Sequence, residues 1–195
     1  MRVSIGLKAH SGWAALVVIG FSGRGLQVVD RRRLELVEPK NAGWAKQPYH
    51  AAAELEGEEA RRVVERAFSE AHRIAGLELR GVVESIRTAQ QKILGCAVLV
   101  GSPMPAWSIE QILSVHVRMH KAEGALFPQA LLGAARACKL KVVEVPEKEL
   151  GARVGELPSS IGPREILALG SSVGPPWGKD QKSAALAAIS AFPGT

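Results

Sequence analysis

The chain has 195 residues, 47% of them hydrophobic and 23% charged, which is room for one domain with a sizeable core. Its formal charge of +6 leans towards a polyanionic partner, nucleic acid first, although 5% aromatic content keeps base-stacking surfaces sparse. No apolar run reaches the ~18 residues of a membrane span, Met1 opens directly into a strand-like run, and the two cysteines lack metal-type spacing. The expectation is a cytoplasmic protein with no membrane partner.

In chain order, Arg2–Lys8 reads as a strand, Ala9–Gly12 as a tight turn and Trp13–Phe21 as a second, apolar strand. Ser22–Gly25 turns the chain into a third strand, Leu26–Val37, which carries the triplet Arg31, Arg32 and Arg33 on a solvated or phosphate-facing side. Pro39–Gly57 reads as a loop long enough to be functional, with Tyr49 and His50 as its marked residues. Glu58–Gln91 has a helical pattern that Gly76 and Gly81 are expected to divide. Ile93–Val100 is a central strand, apolar throughout. From an N-cap at Ser108 a helix is expected to run to about Lys139, bent or broken near Gly124 and Pro128. Lys141–Val145 is a fifth strand, and Lys179–Phe192 a closing helix. Between them the Gly-, Pro- and Ser-rich stretch 157–178 holds a short apolar helix near Pro163–Leu169.

This βββαβαβα order predicts an α/β fold: a mixed five-stranded sheet with helices on both faces. It is a single domain over 1–195, with 38–57 and 156–178 as insertions or linkers. The densest chemistry lies in the helix after strand four. His116, His120 and Glu123 stand at i, i+4 and i+7 and share a face, which suits a divalent metal, an anion clamp or an acid/base relay. A polar stripe with locally satisfied hydrogen bonds fits the same spacing. Gly174–Asp180 has one residue too few between its glycines for a phosphate loop.

Together with this element order, the run from Lys121-Ala-Glu-Gly124 through Ala134-Ala135 to Lys141-Val-Val-Glu-Val-Pro146 resembles the ribonuclease H-like superfamily. Within it, the likeness is to RuvC-type Holliday-junction resolvases. Asp180-Gln-Lys-Ser-Ala-Ala-Leu-Ala-Ala188 is similar to the last resolvase helix, and the first two strands with the turn at Gly12 resemble the family's opening hairpin. The resemblance implies action on nucleic acid by phosphodiester hydrolysis, with metal-binding carboxylates at three places. At those places this chain reads Gly6-Leu7-Lys8, Val100-Gly101-Ser102 and Asp180 followed by Ser183, a degenerate carboxylate set.

The resemblance also implies that strands one, three, four and five end on one edge, where ligands of such sheets sit. His10, His120, Glu123 and Asp180 are expected to converge there, with His116 and His50 beside them. His120, Glu123 and Asp180 are the candidate catalytic residues. His116, His120, Glu123, Asp180 and His10 are the candidate ligands of manganese, zinc or magnesium. Lys8, Arg31, Arg32, Arg33, Lys179 and Lys182 are the candidate phosphate contacts. The alternative is a catalytically inactive scaffold that binds a protein partner or a second copy of itself.

Overall fold

The computed structural model describes residues 1–23, 25–155 and 168–192. Its strands are β1 (Arg2–His10), β2 (Trp13–Ser22), β3 (Gly25–Glu35), β4 (Lys92–Val100) and β5 (Val142–Pro146), in the spatial order β3-β2-β1-β4-β5. The β1–β2 and β2–β3 pairs are antiparallel, whereas β1–β4 and β4–β5 are parallel. This is the mixed sheet expected from the sequence. The carboxyl ends of β1, β4 and β5 therefore open on one edge.

Strand alternation divides the core in two. Val3, Ile5 and Leu7 of β1 and Leu16 and Val18 of β2 face α3 (Gly57–Thr88) and α5 (His116–Ala137). Val17 and Ile19 face the opposite side, where α7 (Lys179–Ser190) lays Ala184, Ala185, Ala188 and Ile189 on the sheet. Gly6 lets α7 come this close: a Cβ there would stand 1.8 Å from the carbonyl oxygen of Ala184. Alanines on α7 and a glycine on β1 thus make one tight contact.

Three expectations are corrected. Helix α3 runs unbroken for 32 residues, because Gly76 and Gly81 each cost only about 1 kcal/mol while its buried stripe Ala71, Ala75, Leu79, Val82 and Ile86 holds it to the sheet. The segment expected as a loop after β3 holds a 3₁₀ turn (Pro39–Asn41) and two short helices, α1 (Ala42–Ala45) and α2 (Pro48–Ala51). Proline stands in the first turn of the 3₁₀ segment and of α2, where its missing N–H has no helical partner to lose.

The helix capped by Ser108 is also two helices. Ser108 and Gln111 form a capping box for α4 (Ile109–Leu113), and the break comes at extended Val115, ahead of α5. Pro128 stays inside α5. It withholds the N–H that would bond the Gly124 carbonyl. After β5 come a 3₁₀ turn (Glu147–Glu149) and α6 (Leu150–Gly155). The short helix expected near Pro163 falls mostly outside the described residues, which resume with a helical turn at 168–171. Among the described residues no helix is long and apolar enough to cross a membrane.

Candidate functional site

A cleft of about 500 Å³ opens outside the carboxyl ends of the parallel strands. Ala9, His10 and Ser11 reach it from β1, Gly101 and Ser102 from β4, and Glu147 and Lys148 from β5. Glu123, Gly124 and Pro128 of α5 form its far wall. Ligand sites in open α/β sheets favour this edge because the strand ends and their loops converge there.

The candidate residues separate into two carboxylate–imidazole pairs that flank the cleft. In the first, His10 Nε2 lies 3.0 Å from Asp180 Oδ1, within ion-pair reach though off the line of a hydrogen bond. The His10 ring stacks on Trp13 at 4.4 Å, and the Arg33 guanidinium lies 3.9 Å from the Trp13 ring centre. In the second, His50 Nδ1 lies 2.9 and 2.8 Å from the two oxygens of Glu123, and the His50 backbone N–H donates to Oε1 at 3.1 Å. Glu123 is buried, so these bonds replace the water its carboxylate has lost.

His50 is placed by its neighbours. Buried Pro48 starts α2, and Tyr49 is buried edge-on against Phe68 at 6.3 Å, so that His50 is directed at α5. Burial first, and the nearby Glu123 charge second, push the Tyr49 hydroxyl up to about 12. Tyr49 is therefore a packed anchor that stays protonated. His50 meets His116 and His120 one layer further out: the three rings lie 4.5 to 5.2 Å apart, and His116 Nε2 is 3.0 Å from His120 Nε2.

The predicted convergence of four residues is thus only partial. His10 and Glu123 line the same cleft, while Asp180 reaches it through His10 and His120 stands behind Glu123 in the histidine cluster. His10 and Asp180 lie outside the group of ligand-capable atoms that gathers around His50. Lys8 is buried and paired with Glu147 at 3.0 Å.

Arg31 donates to the carbonyls of Val173, Gly174, Pro175 and Pro176, Arg32 pairs with Asp30, and Arg33 with Glu35. The arginine triplet is held to its own chain. Lys179 is exposed and Lys182 half-buried at the start of α7. Sequence reasoning passes over Lys148 and the Trp13–Arg33 contact. The latter is visible only once the β2–β3 register sets Ala15 opposite Arg33, which brings Trp13 within diagonal reach.

A scan against protein-family models finds no match, and a search of curated proteins by sequence finds none either. The fold is similar to solved structures of RuvC from Thermus thermophilus. The structure described as RuvC in complex with Holliday junction substrate aligns with a TM-score of 0.50 at 10% identity, over 97% of this chain and 92% of that one. A second, described as the Thermus thermophilus RuvC structure, aligns at 0.49 and 11% identity over the same shares. The ribonuclease H-like architecture expected from the sequence is therefore present. At 10% identity the likeness is one of fold.

Proposed function

We propose that this chain is a ribonuclease H-like protein that engages nucleic acid along its carboxyl edge and acts on it there with a divergent site. The observation that carries the reading is the cleft, with Lys148 at its mouth and a carboxylate–imidazole pair on either side. Phosphates supply most of the affinity in such complexes, and Lys148, Lys179 and Lys182 are cations that α7 and the β5 end bring to this edge of the sheet. The solved neighbour is described as being in complex with Holliday junction substrate, which makes branched DNA the first probe.

The metal chemistry that the resemblance implies does not fit the residues at the three expected places. A two-metal site needs several carboxylates bridging cations about 4 Å apart. Here the end of β1 offers the Lys8 ammonium, already paired with Glu147, and the end of β4 offers Gly101 and Ser102. Asp180 is one carboxylate beside one histidine. Proton movement at the cleft falls instead to His10, held by Asp180, with Glu123 on the opposite wall.

The test is fluorescence anisotropy with junction, duplex and single-stranded DNA, and with RNA, between 50 and 200 mM salt. Binding should weaken steeply with salt, and Lys148→Glu with Lys179→Glu should flatten the slope by about 0.9 per lost duplex phosphate contact. Cleavage of the bound probe should fall in Asp180→Asn. Absence of binding to every probe at the lowest salt sinks the reading. Binding without cleavage leaves a non-catalytic nucleic-acid scaffold.

A further inference from the structure

From the geometry we infer that His50, His116 and His120 form a three-nitrogen site for a zinc-class divalent cation, oriented from behind by Glu123. The ligand-capable atoms of the three histidines lie within 4.8 Å of one another. Two nitrogens of a tetrahedral zinc at ~2.0–2.1 Å stand about 3.3 Å apart, close to the 3.0 Å between His116 Nε2 and His120 Nε2. Two neutral imidazoles at that distance share one proton, and His50, whose Nδ1–H is given to Glu123, has only a bare lone pair at Nε2. A cation resolves this by taking a lone pair from each.

Ring orientation does not oppose the same assignment. An imidazole lone pair lies in the ring plane, so ligands to one metal point edges, not faces, at a common centre. His116 is turned 88° from His50 and 86° from His120, and His50 is turned 51° from His120. None of the three pairs is stacked.

The partner behind the cluster is the second observation. Metal-binding histidines almost always donate their other N–H to a carboxylate or carbonyl, which fixes the tautomer and raises the basicity of the ligating nitrogen. Glu123 accepts His50 Nδ1 at 2.8 Å from a buried position, which leaves Nε2 of His50 as its ligating atom. On this inference Glu123 orients a ligand instead of being one, the role the sequence reading gave it. An all-nitrogen set excludes magnesium, which demands oxygen, and favours zinc or a neighbouring transition metal. Three protein ligands leave a tetrahedral position for a solvent or substrate atom, and exposed His116 and His120 keep it reachable.

The inference is independent of nucleic-acid binding, since the metal is read directly. Chelator-stripped protein is titrated with zinc, cobalt(II) and magnesium, followed by calorimetry, by metal content after gel filtration and by the visible spectrum of the cobalt form. One zinc per chain should be retained, cobalt should give an intense tetrahedral spectrum, and magnesium should give no heat. His116→Ala/His120→Ala should abolish retention with an unchanged far-ultraviolet circular dichroism spectrum, because both side chains are exposed. Glu123→Gln should weaken zinc 10- to 100-fold, as loss of an orienting partner does. His72→Ala, away from the cluster, should change nothing. Zinc that fails to bind the stripped wild type, or binds equally to the double variant, overturns the inference.

Discussion

His50 Nδ1 and Glu123 Oε2 stand 2.8 Å apart, and the same carboxylate accepts the backbone N–H of His50, so α2 is fastened to α5 through one buried side chain. Removing the acceptor leaves two donors without partners in a site with little water. Glu123→Ala should therefore destabilise the metal-free protein by about 1–3 kcal/mol, read as a shift in urea midpoint. His50→Ala should couple to it in a double-mutant cycle, since the two changes remove the same bonds. Additive effects would mean that α2 is held by Tyr49 packing alone.

The histidine face of α5 is legible in the sequence because the helical repeat alone sets His116 and His120 one turn apart. What is less plain is that Glu123 leaves that face. Met119, Ala122, Leu126, Phe127 and Ala130 trace the core stripe, and Glu123 falls within it, three residues after exposed His120. A carboxylate inside an apolar stripe is a signal of a buried partner, but not of which one. His50 lies 73 residues away, on a segment whose two short helices have no apolar period long enough to read. The sheet was predictable for the opposite reason: five runs of suitable length, with short Gly turns between the first three, leave few ways to pair.

Gly6 should be intolerant of any side chain. A Cβ there meets the backbone of α7 at Ala184 and Ala188, so neither partner can turn aside as a flexible side chain would. Gly6→Ala should cost about 3 kcal/mol or more in chemical denaturation. It should also separate Asp180 from His10, seen as changed His10 ring chemical shifts by NMR. Wild-type stability in this variant would show that α7 rides further from the sheet.

Arg31 predicts a structural phenotype on the edge strand. Its guanidinium donates to four carbonyls in the 173–176 segment, groups that no helix or strand satisfies. Arg31→Ala should open that segment to limited proteolysis and destabilise the fold by about 1–3 kcal/mol. Arg31→Lys should rescue little, because an ammonium cannot span four acceptors. The salt slope of nucleic-acid binding should stay unchanged. A reduced slope in Arg31→Ala would return the residue to the phosphate-contact set.

The two cysteines should differ in reactivity. Cys96 is fully buried in β4, and that burial, with a smaller effect of Cys138, pushes its thiol up to about 12. Cys138, at the end of α5, is half-buried. A thiolate-specific reagent at pH 8 should label one thiol in the native protein and two in guanidinium. The stability consequence follows from the same shift. A thiol whose folded pKa exceeds its unfolded value of about 8.5 contributes stability that is fully present below that pH and is lost as pH rises towards 12. The difference in urea midpoint between wild type and Cys96→Ala should accordingly be constant up to about pH 8.5 and shrink above it. The constant part is a cavity of one sulfur, and the shrinking part is the thiol. Equal labelling of both cysteines in the native state, or a difference that does not narrow with pH, would mean that β4 is open to solvent at this point.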